Sequence, residues 1–247
     1  MIEIAPQAAL TSTLHARVRK TFSGRHSFEL QAGIEIGPGI TILFGRSGAG
    51  KSTLLNCIAG ITDPDAGQVT LGSGDFPRVL FDSHSRTNLP VAKRGVGYIF
   101  QHLALFPHLR VKQNVEYGIT QLPEATRHHR SREMLERFHI ERLASRFPDE
   151  ISGGERQRVA LARTLITEPA ALLLDEPLTA LDVPTKRTIL EDFQQWNAAR
   201  NLPVLYVTHS RREALRLGRR TIRLENGAVV AEGDSEEVLK AEIDAEE

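Results

Sequence analysis

The stretch GRSGAGKST, residues 45–53, constrains this chain more than any other. It fits G-x-x-x-x-G-K-[ST] and lies between an apolar run, ITILF at 40–44, and KSTLLNCIAG, where Leu54 and Ile58, and Leu55 and Ala59, recur at four-residue spacing. The order is strand, glycine loop, helix. Glycines let backbone N–H groups close on phosphate oxygens, the helix start adds partial positive charge, Lys51 neutralises terminal phosphates, and the Ser52 hydroxyl can ligate Mg²⁺. Gly45, Arg46, Ser47, Gly48, Ala49, Gly50, Lys51, Ser52 and Thr53 are therefore the expected phosphate-binding residues. The alternative is an ordinary glycine turn before a helix.

The remaining pattern supplies a sheet for that loop. VGYIF at 96–100, AALLLDE at 170–176, PVLYVTH at 203–209 and TIRLE at 221–225 read as short buried strands, separated by helical segments such as TKRTILEDFQQWNAAR at 185–200. Alternating strand and helix predicts an α/β fold with a mainly parallel sheet. Asn226-Gly227 predicts a tight hairpin near the sheet edge, and DPDAGQVTLG at 63–72 a turn leading into a strand. Residues from about 102 to 167 are polar and lack strand patterns until a helix begins after ISGGE, so they are expected to form a helical subdomain, with TRHHRSREMLERF at 126–138 a solvated helix. In the helix after ISGGE, Val159, Ala162, Leu165 and Ile166 share one face. The acidic end, 236–247, is expected to fray.

Charge and cysteine content exclude some partners. Lys plus Arg and Asp plus Glu each number 31, so no net field draws the chain to nucleic acid or an anionic surface. The single cysteine, Cys57, forbids an internal disulfide and, in LLNCIAG, reads as a buried small residue. No run approaches about 18 apolar residues, so a membrane role requires a separate spanning chain.

Other residues narrow the chemistry. Asp175 ends LLLDEP at a strand's C-terminal edge, where open α/β sheets bind ligands, and can hold Mg²⁺; Glu176 can then act as general base toward water. A capped turn is the other reading of that acidic pair. Gln101, after VGYIF, offers an amide to Mg²⁺ or water, and His209, after VLYVT, can meet a γ-phosphate, although a histidine at a strand end is commonly structural. Ser152-Gly-Gly-Glu155 opens a helix, which suits an anion but is equally a capping box.

In order and spacing, GRSGAGKST, Gln101, ISGGERQR, LLLDEP, TALD and His209 resemble the motif set of the ATP-binding cassette (ABC) ATPases, over about residues 10–235. The resemblance implies a P-loop NTPase fold with an antiparallel β edge, a single such domain over 1–247, and ATP hydrolysis with Mg²⁺. It also implies a head-to-tail dimer in which Ser152, Gly153 and Gly154 meet the γ-phosphate held by the partner's P-loop. Asp182 takes the place of the D-loop residue between the two sites, and His209 that of the switch histidine. Phe22 stands where an aromatic often stacks on adenine, with Phe28 a substitute and core packing an alternative for both. Glu155 replaces a frequent glutamine; since a carboxylate repels phosphate, it is expected to fold back onto its own helix.

KRGVGYIFQHLALFPHLRVKQNVEYG at 93–118 is similar to importer ATPases, and VGYIFQ, LFPHLRV and LDEPLTALD to those of molybdate importers. That implies a peripheral subunit on the cytoplasmic face of the membrane, with separate permease chains and, indirectly, an external binding protein. Leu105, Phe106 and Pro107 are candidates for the permease groove or for lobe core. Sulfate, ferric iron, polyamine or sugar cargo, an exporter, and a soluble ABC protein remain alternatives. Chain length after VVAEG leaves no room for the further oxyanion-binding domain of many molybdate relatives, so sensing within this subunit is not expected.

Overall fold

The computed structural model of the 247-residue chain describes residues 12–24, 27–74, 77–179 and 181–246, the side chains of 241–246 excepted. In chain order the elements are β1 (Thr13–Phe22), β2 (Phe28–Ile36), β3 (Gly39–Phe44), α1 (Lys51–Ala59), β4 (Ala66–Gly72), β5 (Arg78–Asp82), β6 (Thr87–Asn88), α2 (Val91–Arg94) and β7 (Val96–Ile99). There follow α3 (Val111–Glu116), α4 (Glu124–Arg137), α5 (Gly153–Leu165), β8 (Ala171–Asp175), α6 (Val183–Ala198), β9 (Pro203–Thr208), α7 (Arg211–Leu217), β10 (Arg220–Glu225), β11 (Ala228–Asp234) and α8 (Ser235–Glu246). The chain divides into two compact units, one of residues through Val96, 170–173 and 197 onward, the other of 97–169 and 174–196. The second is wider than the 102–167 subdomain expected, because it also takes in the end of β8 and most of α6.

The first unit is built on a mixed sheet ordered β6-β5-β4-β1-β2-β11-β10-β3-β9, with the start of β8 beyond β9. Strands β3, β9 and β10 run parallel, while β1 pairs antiparallel with β2 and β4. Leu14, Ala16 and Val18 of β1, and Leu30, Ala32, Ile34 and Ile36 of β2, are buried at every second position. That period-two pattern is what a half-covered antiparallel sheet requires. Sequence reading passes over both strands because Arg17, Arg19, Lys20, Glu29 and Glu35 interleave with the apolar positions.

Those two strands correct the placing of the β10–β11 hairpin. Asn226 (φ 46°) and Gly227 (φ 80°) do form its tight turn, but β11 pairs with β2, so the hairpin lies inside the sheet and not near its edge. Gly227 donates its N–H to Ala49 O at 3.0 Å and accepts from Gln31 N at 2.8 Å, tying the turn to the glycine loop. The segment expected to fray is α8, whose Val238 and Leu239 are buried, while the hydroxyls of Ser235 and Thr221 share a buried hydrogen bond at 2.8 Å. Apolar burial outweighs the acidic composition there. Cys57 is fully buried, and burial pushes its thiol up to about 11.

The second unit packs α3, α4 and α5 around Val111, Val115, Phe138, Ile140, Val159, Ala162 and Leu165. Of α4 only Ser131 and Leu135 are buried, as a solvated helix requires. Fully buried Asn114 shapes the preceding loop: its Oδ1 accepts from Phe106 N at 2.9 Å, and its Nδ2 donates to Phe106 O and Leu109 O at 3.0 and 2.9 Å. No helix among the described residues is long and apolar enough to cross a membrane.

Candidate functional site

In the first unit the site is assembled at the C-terminal ends of β3 and β9. Phe44 pairs with Thr208, so Gly45 and His209 leave neighbouring parallel strands at the same edge. A Cβ at Gly45 would stand 2.2 Å from Leu224 O, which leaves room only for glycine at the loop's first position. Gly50 precedes α1 without a side-chain cap, so no side chain competes with an anion for the first N–H groups of that nine-residue helix. Lys51 is 7% exposed, and its Nζ donates to Gly45 O at 2.7 Å and Arg46 O at 2.9 Å. The cation is thereby folded into the loop it serves. Ser52 is exposed and Thr53 half-buried.

His209 is exposed and its turn is braced on both sides. Thr208 Oγ1 donates to Glu213 Oε2 at 2.9 Å and accepts from Ser210 N at 2.9 Å, while Ser210 Oγ caps α7 by accepting from Glu213 N at 3.3 Å. Sequence reading omits Glu213, although Ser210-x-x-Glu213 is a helix-start signal that could have found it. Phe22 is 41% exposed and pairs with Phe28 across β1 and β2, ring centroids 6.4 Å apart. Phe28 packs on the glycine loop, since a Cβ at Gly50 would meet its Cζ at 2.7 Å. Phe22 is thus a surface aromatic, and Phe28 supports the loop.

The second unit carries the acidic residues. Asp175 is buried at the end of β8, and Tyr98 donates a long hydrogen bond to its Oδ2 at 3.4 Å. Burial, then the Asp175 carboxylate, pushes the Tyr98 pKa upward, so the phenol keeps its proton. Sequence reasoning misses Tyr98, whose only signal is its place in VGYIFQ. Glu176 has φ 45°, and Thr179 Oγ1 donates to its carbonyl at 3.0 Å and its Oε2 at 3.3 Å. Gln101 is exposed in the turn after β7. Leu103 and Ala104, next along, have φ 57° and 46°; Arg163 of α5 donates to both carbonyls at 2.7 and 2.6 Å. Ser52 in the first unit, and Gln101 and Asp175 in the second, each carry a side-chain oxygen of the kind Mg²⁺ takes.

Ser152 is the N-cap of α5. Its N–H and its hydroxyl both donate to Glu155 Oε2, at 2.9 and 2.8 Å, while its Oγ accepts from Glu155 N at 3.3 Å. Glu155 therefore folds back on its own helix, and Arg142 Nη2 donates to its other oxygen at 3.1 Å. The Ser152 hydroxyl thus serves the capping box of its own helix. Asp182 is likewise a cap, with Oδ1 accepting from Thr185 N at 2.9 Å and Oδ2 from Thr185 Oγ1 at 2.8 Å. Leu105 and Phe106 are half-exposed and Pro107 exposed, so they are not lobe core; the Phe106 ring packs at a tilt against Tyr117, centroids 4.3 Å apart, and Tyr117 is itself 53% exposed.

Glu155 makes stability depend on pH. The N–H of Ser152, then its hydroxyl, with Arg142 adding, hold its carboxyl below the usual carboxylate range. A depressed folded pKa stabilises the fold above the unfolded value, ~4.3, and that contribution is lost as pH falls through the folded pKa. Urea unfolding should show Glu155→Gln less stable than the parent at pH 7, with the gap narrowing as pH falls below about 4.3 and through the folded pKa. An unchanged gap would mean the pair contributes nothing through charge.

Comparison with known proteins places this geometry. The ABC transporter family model matches residues 27–179. The molybdenum import ATP-binding protein ModC of Paramagnetospirillum magneticum is 42% identical over 212 residues, covering 86% of this chain and 57% of that protein. The molybdate/tungstate import ATP-binding protein WtpC of Archaeoglobus fulgidus is 41% identical over 215 residues, 87% and 85% of the two chains. The dimeric structure of MJ0796, titled a bacterial ABC transporter cassette, superposes with a TM-score of 0.76 at 30% identity, covering 90% of this chain and 98% of that one. A second structure of MJ0796, titled a post-hydrolysis state bound to ADP and Pi, scores 0.75. The chain spans about half the length of the ModC relatives it matches.

Proposed function

The chain belongs to the ABC transporter family, and from that premise we propose that it is the ATP-hydrolysing subunit of a binding-protein-dependent importer, with molybdate as cargo. The observation that carries the reading is the uncapped start of α1 beside His209, with Lys51 folded into the loop between them. The importer names of ModC and WtpC support the cargo, and the dimeric MJ0796 cassette supports assembly of two copies.

On this reading the α1 N–H groups and Lys51 bind the phosphates of ATP, and Phe22 offers its exposed ring to adenine. Glu176 accepts a proton from water as the water oxygen bonds to the γ-phosphorus; the bond to the bridging oxygen breaks, leaving ADP and phosphate. Ser52, Asp175 and Gln101 would hold Mg²⁺, which would supply charge neutralisation at the phosphates. His209 donates to the γ-phosphate, and the backbone of Ser152–Gly154 meets the nucleotide of the partner copy. Asp182 faces the dimer boundary. The half-exposed Phe106 and Tyr117 meet a permease chain on the cytoplasmic face of the membrane.

The test is Mg²⁺-dependent ATP hydrolysis by the purified chain, then molybdate uptake into vesicles holding permease and binding protein. Absence of hydrolysis with and without a permease sinks the reading. Ser152→Arg should bind MgATP as a monomer but not assemble, cutting turnover by about tenfold or more, because bulk at the α5 start blocks the partner's nucleotide. Ser152→Ala, which loses only a cap, controls for folding.

A further inference from the structure

The glycines that open α5 rest on the first turn of α6. A Cβ at Gly154 would lie 2.7 Å from Thr185 Cγ2, and one at Gly153 would lie 3.5 Å from Leu181 Cδ2. Thr185 is thus two-sided: Asp182 holds its hydroxyl at 2.8 Å and its N–H at 2.9 Å, while its methyl lies against Gly154. Threonine is stiff at χ1, so fixing the hydroxyl fixes where the methyl points. Any rotation of the Asp182 turn therefore moves the methyl that abuts the start of α5, either into Gly154 or away from it.

We propose that Thr185 is a positioning residue that sets the angle of the Ser152–Gly154 backbone by coupling it to Asp182 within one chain. The coupling is a property of these two helix starts; its role in turnover rests on the ATPase reading above. Neither half of the side chain is sufficient. Serine keeps the hydroxyl without the methyl, and valine keeps the branched shape without the hydroxyl.

Hydrogen exchange on the nucleotide-free chain tests the coupling directly. Glu155 N, bonded to Ser152 Oγ, and Arg156 N, bonded to Ser152 O, report the α5 start. Thr185→Ser and Thr185→Val should each raise exchange at these two amides by about tenfold, with the α5 interior unchanged. In steady-state assays both should lower kcat by about tenfold with KM for ATP within about twofold, since the α1 loop is untouched. If Thr185→Ser matches the parent, the residue is only a cap; if Thr185→Val matches it, only packing matters. Either result overturns the proposal, as does faster exchange with unchanged kcat. Faster exchange in both variants, with a parent chain that hydrolyses no ATP, would uphold the coupling and sink the ATPase reading, so the two failures are distinct. Melting temperatures close to the parent's are expected for both variants, Thr185 being half-exposed.

Discussion

Glu176→Gln should cut ATP hydrolysis by about 100-fold or more while MgATP binding survives. Glutamine has the shape of glutamate and can still accept from Thr179 Oγ1, so the turn after β8 keeps its geometry. What it cannot do is take a proton from water. The backbone argues that this position is held for chemistry: Glu176 sits at φ 45° immediately before Pro177, a left-handed conformation that costs a non-glycine residue about 1–3 kcal/mol. Strain of that size persists only where the surroundings impose it, and Thr179 supplies two of the bonds that do so. With hydrolysis blocked and binding intact, the variant should accumulate as an ATP-bound dimer, read by light scattering on a sizing column with and without MgATP. Wild-type turnover in Glu176→Gln would assign the base to another residue. Lost binding would make Glu176 a structural cap.

The contrast between Glu176 and Tyr98 shows what the sequence makes legible. A glycine loop between a strand and a helix, an acidic pair after LLLD, and Ser-Gly-Gly-Glu all announce themselves by local spacing, because their chemistry depends on neighbours along the chain. Glu155 could even be assigned its fold-back from charge repulsion alone. Strands β1 and β2 are equally local but hidden by interleaved charges, and without them the β10–β11 turn signal points to a sheet edge that the hairpin does not occupy. Tyr98, Arg163 and Thr185 act on residues 77, 59 or 60, and 3 positions away. Only the last separation lies within one helical turn, and even there the methyl contact with Gly154 crosses to another helix. Pairings of that kind are fixed by topology, which single-sequence periodicity does not supply.

Arg94→Ala should destabilise the chain by about 3–5 kcal/mol, because several buried acceptors lose their donor at once. Sequence reading leaves Arg94 unremarked in KRGVGY, yet it is fully buried. Its Nη1 donates to Cys57 O at 2.9 Å and Ile58 O at 2.7 Å, its Nε to Leu89 O at 2.9 Å, and its Nη2 to Asn88 Oδ1 at 2.7 Å. Two of those acceptors are carbonyls in the last turn of α1, which has no basic residue of its own there, so the guanidinium both satisfies them and complements the negative helix end. Gly60 is close enough that a Cβ would stand 2.4 Å from Arg94 Nε. Burial lowers the Arg94 pKa, but arginine stays charged, so removing the side chain strands oriented acceptors and leaves a cavity. Each acceptor stranded in the interior costs about 1–3 kcal/mol, less in sum because neighbours relax. Arg94→Lys should lose less, keeping the charge but not the planar fork that reaches two segments at once. The measurement is the urea midpoint at constant m-value, followed by separate probes in the two compact units, since a loss confined to one unit broadens the transition rather than shifting it. A loss below about 1 kcal/mol would mean that α1 is anchored by its apolar face alone.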